Sequence, residues 1–402
     1  MVFFLSIIFN CTALSRFHAY LRNAASLVKE YDGTVPLSIY LKQFFAANKK
    51  FGSSDRRMVG SLTHQYYRAG SLTDNMDVEE ALLLADLLCN NKATPVLQAI
   101  RPEWVPFSEL TIPGKLEACG MHWDAVKHTP WPEILQKETD PDKYSLSHFI
   151  QPDLFLRIRP GKSVTVKNKL MNAGIPFIEE GEHGLRLENG SRLDNLLNLN
   201  AEVVVQDKNS QHCGAVIKKI VPEFSGILWD VCAASGGKSI MLHDLYEGRP
   251  KLVVSDIRQS ILFNLKERFR MAGINNYQSF VGDITKGIAG KLSSIKAEMI
   301  LVDAPCTGSG TWARTPEQHY FFETGKLTEF SETQFAICSH ALSLLKTGGI
   351  YIYITCSVFE CENQAICNRL QKEQGLLLLH SEILDGTLQK ADSMYIAIFR
   401  KP

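Results

Sequence analysis

From Pro222 onward the chain repeats one pattern: a short apolar run, a polar or glycine-bearing loop, then an amphipathic helix. The pattern is read in "GILWDVCAASGGKSIMLHDL", "KLVVSDIRQSILFNLKERFRMAGI", "YQSFVGDIT", "AEMILVDAPC" and "FAICSHALSLLKTGGIYIYITCSV". Apolar strands alternating with helices predict a parallel sheet covered on both faces. Ligands of such sheets gather at the carboxyl ends of the strands. Those ends carry the Cys232–Lys238 loop, Asp256, Asp283, Asp303 with Cys306, and Cys356.

The first loop, Cys232, Ala233, Ala234, Ser235, Gly236, Gly237 and Lys238, opens into a helix. Its glycines allow close approach of the backbone to a ligand, and the helix start favours negative charge. It is neither G-x-G-x-x-G nor a P-loop, and alone it reads equally well as a tight turn. Asp256 follows about 20 residues later, the spacing of a carboxylate that binds ribose hydroxyls. Asp283 is placed to accept the amine of an adenine. One acid per successive strand end points to an adenosine-containing ligand. Cys306 and Cys356 end the next two strands. A buried cysteine is usually a small hydrophobe, but two at neighbouring strand ends beside such a site are candidate nucleophiles.

A chain of 402 residues exceeds what one core fills, so several domains are expected. Leu14 to Leu135 reads as helical, with Phe17, Tyr20, Leu21, Ala24, Leu27 and Val28 on one face. Ser54 is a candidate N-cap and Gly70 a helix stop, and "PWPEILQKETDPDKYS" has the prolines of a linker. Leu146 to Val221 reads as a small α/β module. The expected division is 1–140 helical, 141–221 small α/β, and 222–402 the parallel-sheet domain. Net charge is zero, yet Ser15–Gly70 holds nine Lys/Arg against three acids, and Ser71–Asp142 holds 13 acids against five bases. A basic block of that kind is a solvated face or a contact for a polyanion.

The ten cysteines show no C-x-x-C pair and no Cys/His ligand spacing, so no metal site is expected and the setting reads as reducing and cytoplasmic. "MVFFLSIIFN" lacks a basic n-region and a small-residue cleavage site, and falls short of the roughly 20 apolar residues of a bilayer span. Neither a leader nor a membrane anchor is expected.

The set "DVCAASGGK", "SDIR", "GDIT", "DAPCTGSG" and "TCSVFECEN" resembles the RNA cytosine-5 methyltransferases of the Fmu/Sun/NOL1/NOP2 family, over the whole region from about Leu146 to Pro402. The earlier "FFAANKKFGSSDRRMVGSLTHQYY" resembles the NusB-like domain in front of the bacterial Fmu-type members, through Gly52, Ser53, Asp55, Arg56 and Arg57. The resemblance implies a Rossmann-like α/β methyltransferase domain with a mostly parallel sheet. An all-α NusB-like domain and a small RRM-like α/β module precede it. It implies S-adenosylmethionine as cofactor, held by Cys232–Lys238, Asp256, Asp283 and Asp303, and RNA, ribosomal by analogy, as partner of a monomer. In that family Cys356 would attack carbon 6 of cytosine, Cys306 would assist release, and Asp303 would act near N3. Ser235 stands where the family usually has proline, and Ala313–Arg314 where it usually has two arginines. Arg314, Gln206 and Asp207 match positions near the family's active site, and Arg159 is either a phosphate contact or a solvated arginine. Transfer RNA as substrate, a methyltransferase of another class, and a non-catalytic RNA-binding factor remain open alternatives.

Overall fold

The computed structural model describes the backbone of residues 2–193 and 195–402, and within them the side chains from Leu14 onward. The apolar "MVFFLSIIFN" start therefore lies outside the described side chains. The chain forms two compact units.

The first unit holds the residues up to Glu133, then Asp140–Gln151, and also Trp312–Phe322. Its long helices are Val2–Glu30, Leu37–Ala47, Ser53–Ala69 and Val78–Cys89. The expected apolar stripe is their core: Tyr20, Leu21, Ala24 and Leu27 are buried together with Leu41, Val59, Leu62 and Leu82. Helix Ser53–Ala69 starts two residues earlier than a Ser54 cap would place it. Gly52 is its N-cap, and Asp55 Oδ2 accepts the Gly52 N–H at 2.9 Å, because a carboxylate reaching back from the first turn satisfies an orphan donor. Gly70 ends the helix at φ +54°. The proline-rich stretch read as a linker also contains helix Pro141–Ser147, which Asp140 caps through the Lys143 N–H at 3.1 Å. Pro141 falls at the first helical position, where a missing N–H costs nothing.

Trp312–Phe322 lies within the parallel-sheet region by sequence, yet it belongs to the helical unit. Its short helix Pro316–Tyr320 places Glu317 Oε1 3.1 Å from the Leu37 N–H. Tyr320 meets Tyr67 edge-on with ring centroids 5.2 Å apart. Phe321 packs over Gly33, where a Cβ would come 2.7 Å from Phe321 Cδ2.

The second unit contains two sheets. Strands β1 (Leu154–Ile158), β2 (Ile178–Glu180), β3 (Gly184–Leu187) and β4 (Val203–Val205) form an antiparallel sheet in the order β2-β3-β1-β4. Strands β5 (Ile227–Asp230), β6 (Lys251–Asp256), β7 (Tyr277–Val281), β8 (Ala297–Asp303), β9 (Leu345–Thr355), β10 (Leu377–Leu384) and β11 (Met394–Arg400) form a seven-stranded sheet. Its order is β10-β11-β9-β8-β5-β6-β7. β5 to β9 are parallel, and β10 and β11 run antiparallel at one edge. Alternate residues feed two cores: Leu228, Val254, Leu301, Ile352 and Ile396 on one face, and Trp229, Val253, Ile300, Tyr351 and Phe399 on the other. Burial on both faces is why the strands read as continuous apolar runs.

β1 is fastened to helix Gly237–Leu245 by Asp244. Its carboxylate takes Arg157 Nη1 at 2.8 Å, and Arg159 Nη2 at 2.6 Å. Arg159 also donates to the carbonyls of Asn200 and Ala272. It is thus neither solvated nor free for a phosphate. Among the described residues no helix is long and apolar enough to cross a membrane.

Candidate active site

β5 lies between β6 and β8, so the chain leaves it in one direction and returns on its other side. A crevice opens at the carboxyl end of a strand where the order reverses in this way. The loop after β5 is pinned from below: Val231 N–H bonds Leu301 C=O at 2.9 Å and Ala233 N–H bonds Ser255 C=O at 2.9 Å. Gly236 sits at φ +82°, and a Cβ there would come 2.7 Å from Phe269 Cε1. Only glycine combines that dihedral with that approach. Ala234 holds φ +45° without being glycine, and its N–H reaches Asp256 Oδ2 at 3.1 Å. A left-handed alanine is uncommon, and such strained positions cluster at functional sites. Ser235, in the family's proline position, receives Arg268 Nη1 on its hydroxyl at 2.5 Å and on its carbonyl at 3.0 Å. The serine thus gains a tether that proline lacks.

Asp256, at the end of β6, is buried and holds the Arg258 N–H at 2.9 Å and its Nε at 3.1 Å. Asp283 follows β7 and caps the next turn through the Thr285 N–H at 3.1 Å, with Lys286 Nζ 3.0 Å away. The Thr285 hydrogen bonds, and then Lys286, hold its carboxyl below the usual range. Under the loop, burial pushes the Asp230 carboxyl up to about 7, although Ser239 donates to it at 2.5 Å.

Asp303 ends β8 and binds Lys238 Nζ at 2.7 Å. Burial by itself would pull the Lys238 ammonium down. Asp303 and the neighbouring thiols Cys356 and Cys213 outweigh that and hold it above its ordinary value. β8 and β9 are parallel neighbours, with Asp303 opposite Ile354, which brings the loops after both strands together. Cys306 and Cys356 are both half-buried. Burial, and then the nearby Cys356 and Glu362, push the Cys306 thiol well up, against the opposing effect of the Gly308 and Cys356 backbone. Burial pushes Cys356 up to about 12. Lys238 opposes this, while Asp303, Asp392 and Asp207 add to it. Cys232 is pushed up by burial and by Asp230.

Sequence reading did not single out the group that holds the two cysteine loops in register. Glu362 is fully buried, and its carboxylate accepts from Thr307 N–H at 2.9 Å, Thr307 Oγ1 at 2.6 Å, Gln334 Nε2 at 2.8 Å and Ser357 Oγ at 2.5 Å. Gly310 N–H adds a bond to the Cys356 carbonyl at 2.9 Å. A glutamate six residues past Cys356 carries no periodicity signal, so only the fold reveals it. Gln206 accepts from Arg157 Nε at 2.8 Å, and Asp207 caps helix Lys208–Ile220 and takes the Asp392 N–H at 3.1 Å. Arg314 lies in the helical unit.

The arrangement offers two thiols, one ammonium and three strand-end carboxylates at the carboxyl edge of a parallel sheet. The sequence profile described as "16S rRNA methyltransferase RsmB/F" matches residues 193–399, half of the chain. The protein named "Probable ribosomal RNA small subunit methyltransferase B" of Bacillus subtilis is 27% identical over 292 residues. That match covers 69% of this chain and 62% of the relative, so this chain spans less than two thirds of its length. The crystal structure of PH0851 shares the fold with a TM-score of 0.69 at 17% identity, covering 95% of this chain and 98% of that one. The structure of "NSun6 from Pyrococcus horikoshii with SFG" gives 0.58 at 16% identity, covering 68% and 97%. The chain belongs to the RsmB/F family of 16S rRNA methyltransferases.

Proposed function

We propose that this protein is an S-adenosylmethionine-dependent RNA cytosine-5 methyltransferase acting on small-subunit ribosomal RNA. The observation that carries the reading is the pair of thiols, Cys306 and Cys356, on adjoining loops beside the Lys238–Asp303 ion pair. An N-directed methyltransferase needs neither thiol. The substrate class rests on the Bacillus subtilis relative's name.

The chemistry of the donor set fits the cofactor. Asp256 and Asp283 are carboxylates at successive strand ends, suited to ribose hydroxyls and an exocyclic amine, and the loop Cys232–Lys238 presents backbone to the same edge. When bound, S-adenosylmethionine supplies an electrophilic methyl group. The residues of the chain make cytosine able to take it. Carbon 5 is a poor nucleophile, so the Cys356 thiolate adds to carbon 6 and forms an S–C bond, and the electron pair of the 5,6 double bond moves toward carbon 5. The Lys238 ammonium favours the thiolate, and Asp303 beside it relays a proton from Lys238 to N3, which neutralises the negative charge that develops on the ring. After methylation the Cys306 sulfur, as thiolate, takes the proton from carbon 5, the 5,6 double bond re-forms, and the Cys356 sulfur departs with its electron pair. Cys306 assists that last step. The target base is unstacked to reach the loops, so single-stranded or opened RNA is preferred.

The helical unit supplies phosphate contacts. Arg22, Lys29, Lys42, Lys49, Lys50, Arg56 and Arg57 are all exposed, whereas Arg68 is buried and spent on the carbonyls of His148 and Ile150. The decisive test uses single variants with RNA and cofactor. Cys356→Ala abolishes transfer, and Cys306→Ala accumulates a covalent protein–RNA adduct that survives denaturing electrophoresis. An adduct in Cys356→Ala instead reverses the roles. Absence of cofactor binding by calorimetry leaves the non-catalytic factor as the better reading.

A further inference from the structure

Three imidazoles from distant stretches of chain meet inside the helical unit. His128 ends the short helix Ala125–His128, His148 follows helix Pro141–Ser147, and His319 lies in helix Pro316–Tyr320. They are 1%, 2% and 7% exposed. Ring centroids are 4.7 Å apart for His128–His319, 4.4 Å for His148–His319 and 5.4 Å for His128–His148. One nitrogen of each lies within 4.8 Å of the others. Tyr144, Phe149, Trp131 and Trp312 wall the cluster.

Hydrogen bonding inside the cluster is incomplete. His128 Nε2 faces the Arg68 carbonyl at 3.0 Å, which accepts only, so Nε2 carries the proton and Nδ1 carries the lone pair. His148 Nδ1 and both nitrogens of His319 are buried without a partner. A neutral imidazole always has one donor and one acceptor, so His319 leaves both unsatisfied, a costly state for a buried side chain. Burial also keeps the rings neutral: it pushes His128 down to about 4, and it pushes His148 and His319 well down, helped by the neighbouring imidazoles. Glu317, on the same short helix as His319, is buried with Oε2 unpartnered, and the charged group that acts on His148 is the Arg68 guanidinium, which donates to the His148 carbonyl at 2.6 Å.

We propose that His128, His148 and His319 form a binding site for a divalent transition-metal ion, with zinc the best match. Neutral imidazole suits zinc, nickel and copper ahead of magnesium or calcium. Metal-bound histidines commonly give their second N–H to a backbone carbonyl, which is how His128 is already oriented. His128 and His319 stack with an interplanar angle of 18°, and His148 is tilted against them by 31° and 33°. Coordination turns them about χ2 until three nitrogens lie about 2.0–2.1 Å from the ion. The ion would clip Trp312–Phe322 to the helices that carry His128 and His148.

The test uses the full chain, stripped with a chelator and titrated with Co2+ as a spectroscopic stand-in for zinc. One equivalent should bind with the intense visible bands of a low-coordinate nitrogen site and without sulfur-to-cobalt charge transfer. Zinc should then bleach the bands, and zinc should raise the unfolding temperature of the stripped protein. His319→Gln and His148→Gln should each weaken cobalt binding by at least about 100-fold, since losing an outer-shell partner alone costs 10–100-fold. Failure of the wild-type chain to bind cobalt overturns the proposal, whatever the variants do. So does a sulfur charge-transfer band, which would move the ion to the thiols, or unchanged affinity in folded His→Gln variants.

Discussion

Asp244 is the residue whose loss should be felt most sharply in the second unit. One carboxylate, 6% exposed, serves two guanidiniums that are 9% and 11% exposed, at 2.8 Å and 2.6 Å. Burial disfavours its charge, yet the His243 ring 3.9 Å away, the hydrogen bonds from Arg159 and the charges of Arg157 and Arg159 hold the carboxyl far below the usual range. Asp244→Asn keeps the shape and removes the charge, stranding two buried cations. Breaking a buried pair on one side costs about 3–5 kcal/mol. For a unit of this size each kcal/mol moves the midpoint by about 2–4 °C, so the variant should unfold roughly 10 °C lower. The sign with pH follows from the depressed native value. The carboxylate's contribution is fully present above the unfolded value of about 3.9 and is lost as pH falls through the native one. The gap between wild type and variant is therefore open at neutral pH and narrows in acid. Parallel urea and thermal melts by circular dichroism measure it. Adding Arg159→Met to Asp244→Asn should recover part of the loss by removing one stranded charge. A variant within about 1 kcal/mol of wild type, the range of surface pairs, would refute this account.

Two further outcomes are expected. Glu362→Ala should cost at least about 3 kcal/mol, because it orphans donors from both cysteine loops, and Cys306 and Cys356 should alkylate faster with iodoacetamide. Unchanged alkylation would mean the loops hold register without it. With Cys356 raised to about 12, the single-turnover methylation rate should climb with pH through the neutral range as the thiolate fraction grows. A flat profile would show that RNA or cofactor binding makes the thiolate.

Much of the second unit was legible because its strands are buried on both faces. Unbroken apolar runs such as Met299–Val302 and Ile350–Ile354 have few other uses, and the polar residue after each run marks a strand end. Asp256, Asp283, Asp303, Cys306 and Cys356 were visible for that reason. Contacts that depend on tertiary fold were not. Arg159 looks like any exposed arginine until helix Gly237–Leu245 sets Asp244 against it. Glu362 has no period to betray it. The three histidines share no spacing, so their meeting follows from where Trp312–Phe322 packs.

That excursion has a consequence for anyone who cuts this protein. Gly33, Leu37, Tyr66 and Tyr67 all contact an eleven-residue stretch numbered beyond 300. A fragment ending near residue 150 lacks that stretch and leaves an aromatic face bare, while a fragment beginning there carries Tyr320 and Phe321 with nothing to cover them. Truncation therefore tests two broken edges at once. During synthesis the helical unit has to wait for more than half of the remaining chain before its last side chains arrive. Exchanging this unit between relatives means moving three separate pieces of gene, since its sequence is interrupted at two places by the unit that carries Cys306 and Cys356.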